Sequence, residues 1–435
     1  MQFYDRVQEL ETLQEIETMS AEVAQMTMMV GRRRVGKTTL LRNAFTQTPV
    51  LYFFIGRKNE ILLCEEFTEE IENKLHESFG HFTSFAQMFK VLMQLSARKN
   101  FTLIIDEFQE FKSINPSLFS DMQNIWDTYK ENSRMNLVIC GSIYSMMKQI
   151  FENSKEPLYG RATARMHVRP FDIATLKEIL ADNHPDYQPE DLLALYMLTG
   201  GVAKYIEQLM LRKAFTKDKM LKTVFSPGSY FLDEGKDVLI EEFGKDYTNY
   251  FSILALIASS KTSRGDIEST LNMPIGGYLD KLEKEYNIIQ RVRPFLAKEG
   301  SRNNKYRIVD NFLHFWFRFI YKYRSAVEIG NLDYVRQIVE RDYETYSGYM
   351  LEKYFRQLSA ESKAYSDVQS YWDRKGENEI DLIAVNDFEK RMLIGEVKRN
   401  KERINLHILE NKAMEITHKY ETYQIEYKAF SLEDM

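Results

Sequence analysis

The residues with the clearest chemistry are Gly31-Arg32-Arg33-Arg34-Val35-Gly36-Lys37-Thr38, which fit the pattern G-x-x-x-x-G-K-[ST]. Glycines let a backbone wrap closely, so that successive amide N–H groups point at phosphate oxygens. Lys37 offers a point charge to β- and γ-phosphates, and Thr38 offers a hydroxyl ligand to Mg²⁺. Arg34 and Thr39 flank these two and belong to the same expected nucleotide-binding set. A strand over Thr27–Val30 runs into the loop and Thr39-Leu40-Leu41-Arg42 continues it as a helix. That setting separates a phosphate loop from a chance glycine-rich turn. Leu103-Ile104-Ile105-Asp106-Glu107 reads as a second buried strand ending in two carboxylates, at the edge where α/β proteins hold ligands. Asp106 is expected to hold Mg²⁺ through water, and Glu107 to polarise the attacking water as a general base. Leu137–Cys140 forms a third buried run, ending in Gly141-Ser142. Ser142 either senses the γ-phosphate or simply caps the strand in a turn. These segments imply ATP and Mg²⁺ as cofactors, and ATP hydrolysis.

A second set of reactive residues lies near the end of the chain. Asp381-Leu382-Ile383-Ala384-Val385 and Met392–Val397 read as strands joined through a turn at Asn386-Asp387, with a short strand beginning at Trp372 before them. Asp381 and Glu396 then fall on neighbouring antiparallel strands. Glu396 and Lys398 are two apart, so they share a face. Two carboxylates and a lysine on one face suit a divalent metal beside a cation. In that arrangement the metal polarises a phosphodiester and Lys398 orients or deprotonates water. Glu352, on the preceding helix, could add a ligand. The competing reading is a surface hairpin of mixed charges, because the spacing is short and degenerate.

The elements that must position these residues follow from pattern changes, since no low-complexity segment, repeat or Pro/Gly-rich linker marks a boundary. Met26–Val30, Val50–Ile55, Leu103–Ile105, Leu137–Cys140 and Met166–Val168 are strand-length apolar runs, each followed by helix-like sequence. That rhythm predicts a parallel sheet with crossover helices. Residues 213–246 read as a helical connection with a turn at Pro227-Gly228. Three helical stretches follow, over Tyr250–Ala258, from Ser263 and over Pro274–Glu285, and then two strand-like runs, IIQRVRPF and KYRIVD. Helices followed by a hairpin are the layout of a winged helix. Its wing carries Arg291, Arg293, Lys298, Arg302, Lys305 and Arg307. A basic hairpin of this kind fits phosphate contacts, and fits equally a solvated hairpin packed on the core. Residues 310–346 are aromatic-rich and helical, and from 347 the pattern runs helix, strands, helix. The fold class is therefore α/β, with a P-loop NTPase core in 1–212, a helical connector and winged helix in 213–309, and a last α/β domain in 310–435. The 435 residues, 44% hydrophobic and 28% charged, suffice for about three cores. A net charge of −6 excludes a chain that is basic overall, not a local basic patch. Cys64 and Cys140 sit apart in apolar runs and read as core thiols. The polar start is no signal peptide, and no apolar run spans a bilayer, so the expected location is cytoplasmic, without a membrane partner.

With these motifs the chain resembles the archaeal-type P-loop ATPases of the AAA/STAND group. Phe3, Arg6, Glu9 and Leu10 match that family's F-x-x-R-x-x-E-L start, which implies that Arg6 lies near the adenine. Pro157-Leu158-Tyr159-Gly160-Arg161 resembles a further signature. It makes Arg161 the expected trans-acting or sensing arginine, and a homo-oligomer the corresponding assembly; the alternative is a surface arginine before a strand. Gly200-Gly201-Val202-Ala203-Lys204-Tyr205 resembles the family's lid segment, with Ala203 where the family has Pro. The C-terminal third resembles the PD-(D/E)XK restriction-endonuclease fold often fused to these ATPases. The resemblance rests on Asp310–Trp316, Glu379-Ile380-Asp381 and Gly395-Glu396-Val397-Lys398. It implies an ATP-gated DNA nuclease of defence or mobile-element type, contacting DNA through the winged helix and the last domain. The alternative is a switch or signalling ATPase that binds DNA or protein without cutting it.

Overall fold

The computed structural model describes residues 2–244, 247–298, 300–301, 303–373, 376 and 378–435. The chain forms two compact units: Asp5–Arg169, and Met1–Tyr4 together with Pro170–Met435. The division differs from boundaries at 212 and 309. The helices Ile173–Asn183, Pro189–Thr199 and Ala203–Leu211 bury their apolar faces in one continuous core with residues of 220–355, so no packing break falls at either position.

In the first unit, strands β1 (Gln25–Val30), β2 (Val50–Phe54), β3 (Phe101–Asp106), β4 (Met135–Gly141) and β5 (Ala164–His167) form one sheet in the order β2-β3-β4-β1-β5. Every pairing is parallel. All of the residues of β1, β3 and β4 are buried, as central strands covered on both faces must be. Met26, Leu103, Ile105, Leu137 and Ile139 pack with Phe53, Phe67 and Phe85 from the helices Glu60–Leu75 and Phe85–Leu95 and their neighbouring strand. Asn59 and Ser84 cap those two helices by accepting from Ile61 N–H and Gln87 N–H. The order places β4 between β1 and β3, so the end of β4 faces both the phosphate loop and the acidic strand end.

The second unit begins with helices and then builds two sheets. The stretch 247–308 contains helices Tyr247–Ala258, Arg264–Leu271 and Gly276–Asp280, followed by an antiparallel hairpin of β6 (Ile289–Val292) and β7 (Lys305–Ile308). Arg302 lies outside the described residues. The helix Leu332–Glu361 runs across the change of pattern expected at 346, because its apolar positions continue from Val335 to Phe355. Strands β8 (Asp367–Trp372), β9 (Glu379–Asn386), β10 (Arg391–Val397) and β11 (Gln424–Phe430) form a sheet in the order β11-β10-β9-β8. Trp372 ends its strand rather than beginning it. Strand β11 was not expected; it pairs parallel to β10 through the crossover helix Leu406–Thr417. As an edge strand it alternates exposed and half-buried residues, and so carries no apolar run. Ile383, Val385, Met392 and Ile394 pack on Leu409, Ala413 and Ile416 of that helix. Leu382, Ala384 and Val397 belong instead to the core that contains the long helix.

Candidate nucleotide and phosphodiester sites

The phosphate loop owes its shape to two glycines. Gly36 has φ +97°, a left-handed conformation that favours glycine. A Cβ on Gly31 would lie 2.6 Å from the Val168 carbonyl oxygen. Arg34 also takes a positive φ, at its exposed tip. Lys37 opens the helix Lys37–Ala44 and is buried; its ammonium donates to the carbonyls of Gly31 at 2.6 Å and Arg32 at 3.2 Å. Burial lowers its pKa, and Asp106 and Glu107 work against that shift. Thr38 is half-buried and Thr39 exposed. Arg6, nearly fully buried, donates to the carbonyls of Val35 at 3.2 Å and Arg169 at 2.7 Å and pairs with Glu9 at 3.1 Å. The structure thus gives Arg6 a positioning role behind the loop, tying it to the end of the β5 segment.

At the end of β3, the two carboxylates are held differently. Asp106 Oδ1 accepts from the Glu107 N–H at 2.9 Å, and the Tyr52 hydroxyl donates to Oδ2. Burial raises the Tyr52 pKa first and Asp106 adds to it, while a hydrogen bond with Thr38 opposes both. Glu107 sits at φ +56°, a left-handed backbone on a non-glycine residue, of the kind that concentrates at functional sites. Its carboxylate accepts from the Ser142 hydroxyl at 2.7 Å and from the Gln109 amide. The Arg33 guanidinium reaches Ser142 Oγ at 3.4 Å. Sequence reasoning missed Tyr52 and Gln109. Tyr52 reads as an interior residue of an apolar strand, and only the pairing of β2 with β3 brings it to Asp106; Gln109 reaches Glu107 through the turn that follows β3. Arg161 is bound within its own unit, to Asp127 at 3.0 Å and the Tyr159 carbonyl at 2.8 Å. Cys64 and Cys140 are free and buried.

In the second unit, the pairing Gly395 with Leu382 brings Glu396 beside Asp381 on β10 and β9. Asp381 Oδ2 accepts from the Val397 N–H at 2.9 Å and lies 3.5 Å from Lys398 Nζ. Glu396 is 3.1 Å from Lys398 Nζ and 3.7 Å from Lys412 Nζ, and its buried Oε2 has no hydrogen-bond partner among the described residues. Arg356 donates to the Asp381 carbonyl at 2.7 Å and approaches Glu352 at 3.6 Å. Burial, then Asp381, pushes the Glu352 carboxyl up to about 7. Burial also raises Asp381, against the pull of Lys398 and the Val397 N–H. For Lys398 burial acts downward, yet Asp381 and Glu396 carry its pKa above the ordinary lysine value. Asp381, Glu396 and Lys398 therefore meet, and Glu352 lies near enough to Asp381 for their charges to interact. Lys412 and Arg356 join them without a signal in the sequence, since both sit on helices far from the motif. No three His, Cys, Asp or Glu side chains converge as a metal-holding group among the described residues.

A parallel sheet with β4 inserted between the phosphate-loop strand and the acidic strand, and a lysine and two carboxylates at their carboxyl ends, defines a P-loop ATPase domain. Residues 3–209 match the family described as an ATPase domain predominantly from Archaea. Residues 316–416 match one described as archaeal and bacterial proteins of unknown function. An uncharacterised protein of Methanocaldococcus jannaschii is 29% identical over 405 residues, covering 91% of this chain and 87% of that protein. The Walker-type ATPase of Pyrococcus abyssi shares the fold, with a TM-score of 0.55 at 20% identity over 73% of this chain and 96% of that one. The ORC2 protein of Aeropyrum pernix, solved as ADPNP–ADP complexes, gives a TM-score of 0.49 at 14% identity over 78% and 96% of the two chains. The family match over residues 3–209 supports an ATPase function for the N-terminal part. No helix among the described residues is long and apolar enough to cross a membrane.

Proposed function

We propose that this chain is an ATP-gated, Mg²⁺-dependent DNA nuclease. The observation that carries the nuclease part is the convergence of Asp381, Glu396 and Lys398 on adjacent strands, with one buried carboxylate oxygen that accepts no hydrogen bond among the described residues. At the phosphate loop, Lys37 exchanges its two carbonyl partners for the β- and γ-phosphates, while the loop amides, with Arg34 and Thr39 beside them, enclose the chain of phosphates. Thr38 and Asp106 provide the hard oxygen donors that suit Mg²⁺, and the Tyr52 hydroxyl holds Asp106. Bound there, Mg²⁺ would neutralise charge on the phosphates. Glu107 orients and deprotonates the attacking water, and Ser142 holds Glu107 in place.

In the last domain two carboxylates, one with a buried oxygen that accepts no hydrogen bond among the described residues, fit Mg²⁺, which takes few protein ligands and completes its shell with water and substrate phosphate. Lys398 then orients the water. The domain limits 1–212, 213–309 and 310–435 are kept as functional segments, with 247–309 as a winged helix that contacts DNA. Within the second unit, the neighbour of Lys398 is anchored to a helix. Glu190, on the helix Pro189–Thr199, holds Arg399 at 2.6 Å, and Arg399 adjoins Lys398 and also donates to Ser347 at 2.7 Å.

The second reading is a switch ATPase that binds without cutting, and Lys412 favours it by adding a second internal cation at Glu396. Incubating the purified chain with plasmid and linear DNA, with and without ATP and Mg²⁺ or Mn²⁺, separates the two. Cleavage that needs metal and responds to ATP is the expected result; intact DNA under every condition leaves the switch. Arg161 gives a further expectation. If it acts on a neighbouring subunit's nucleotide, Arg161→Ala lowers turnover by about a thousandfold with ATP affinity unchanged. Mixing it with Glu107→Gln protein then restores activity in hybrid oligomers. Full hydrolysis by a monomer at all concentrations would rule out the trans role.

A further inference from the structure

Within the second unit, the hairpin β6–β7, the helix Leu332–Glu361 and strand β8 enclose a cleft of about 780 Å³. That size is in the range of small-molecule sites. Six cations line it, Lys284, Arg291, Arg293, Arg307, Lys353 and Arg356, against the carboxylates of Glu283 and Asp367. Glu283 is engaged by Arg291 at 2.7 Å, and Lys284 pairs with Asp280 at 3.3 Å. Arg356 leans on Glu352 from 3.6 Å and on the Asp381 carbonyl. The hydrogen bonds of Arg307 and Lys353 go to neutral groups, while Glu352 and Glu379 act on Arg307, and Asp310 on Lys353, through their charge. Lys353 Nζ donates to the carbonyls of Val309 at 2.6 Å and Ile308 at 3.3 Å, and Arg307 reaches Ser370 Oγ at 3.4 Å.

Clustering cations that have lost part of their hydration is costly unless an anion completes the set. Guanidinium groups hold phosphate oxygens bidentately, and an ammonium adds a point charge. Gln290 lines the same cleft and offers an amide donor and acceptor of the kind that meet a base edge, whereas Gln357 is held by Tyr196 and Glu361 and Gln369 by Asp367. We propose that this cleft is a binding site for a nucleotide phosphate ester, with the phosphate seated on Arg307, Lys353 and Arg356. The site stands apart from the phosphate loop and rests on the cleft alone, not on cleavage at Asp381. The ligand's shared chemistry is a phosphate ester, free as a mononucleotide or carried in a DNA strand.

The test uses the full chain in EDTA, where no strand can be cut by a metal-dependent site. Fluorescence anisotropy follows a 3′-labelled ten-nucleotide oligothymidylate, with and without a 5′-phosphate, and its displacement by AMP. Arg307→Gln and Lys353→Gln are each expected to weaken strand binding about tenfold or more, the loss of a charged hydrogen bond. Lys90→Gln, on the exposed face of the helix Phe85–Leu95 and outside the cleft, should leave it unchanged. Displacement by AMP that is lost in Arg307→Gln identifies the free nucleotide. No displacement, with strand binding still sensitive to Arg307 and Lys353, identifies the strand. Circular dichroism melts of the two variants check that the fold is kept. Strand and AMP binding equal to wild type in both folded variants, or no binding by the wild-type chain, overturns the proposal. Binding without cleavage in the metal assays would sink the nuclease reading and leave this site intact.

Discussion

Lys37→Ala is expected to weaken ATP binding by about a hundredfold or more, and Glu107→Gln to bind ATP normally while losing about 10²–10⁴ of turnover. The two effects separate because the residues meet different charges. Lys37 is buried with carbonyl partners only, so its ammonium is poised for an anion rather than neutralised by a carboxylate. Removing it leaves the phosphates without their central cation. Glu107 lies one residue beyond the buried strand end, in a strained backbone and fastened by Ser142 and Gln109. Its amide analogue keeps those hydrogen bonds in part but is far too weak a base to activate water. Isothermal titration and single-turnover hydrolysis measure the pair. Normal ATP affinity for Lys37→Ala would count decisively against the nucleotide assignment. Unimpaired turnover in Glu107→Gln would move the general base elsewhere.

Asp381→Ala and Lys398→Ala should both abolish DNA cleavage, with opposite effects on metal binding. Asp381 and Glu396 lie side by side with Glu352 near Asp381; burial first, and the mutual repulsion of the carboxylates after it, raises the Asp381 and Glu352 carboxyls. Divalent metal relieves that repulsion and should raise the melting temperature of the full chain in the absence of nucleotide. Asp381→Ala removes a ligand, and the metal-dependent rise should disappear. Lys398→Ala removes the ammonium that now sits 3.1 Å from Glu396, so the rise should persist or grow. ATP hydrolysis should be retained in both. A chain that neither gains stability from Mg²⁺ or Mn²⁺ nor cuts any nucleic acid would have a binding module in this place, with Lys398 and Lys412 acting as permanent counter-ions.

The motifs that were legible are those whose chemistry uses neighbours in sequence. A phosphate loop works through consecutive backbone amides, so Gly31–Thr38 is complete in one segment. Asp106 and Glu107 follow a continuous apolar run because a central parallel strand is buried on both faces. Even Asp381, Glu396 and Lys398 were accessible, since a two-strand hairpin has a period of two and one tight turn. Strand β11 was not, because an edge strand half in solvent does not need an apolar run. The division of the chain was not either. Packing of 170–211 with the later helices is decided by which apolar faces meet, and each of those faces looks alike in sequence.

By itself, the sequence determined the phosphate loop, the acidic strand ends and the alternating strand–helix rhythm, since each depends on local periodicity or on adjacent residues. Only the tertiary structure decided which strand lies next to which. Inserting β4 between β1 and β3 sets Ser142 on Glu107, and pairing β2 with β3 sets Tyr52 on Asp106. Only packing, likewise, brought Lys412 to Glu396 and gathered Arg307, Lys353 and Arg356 around one cleft. The physical reason is range. A hydrogen bond or ion pair acts over a few ångströms, and partners 16 to 54 positions apart come within that distance only after the sheet and its covering helices have assembled.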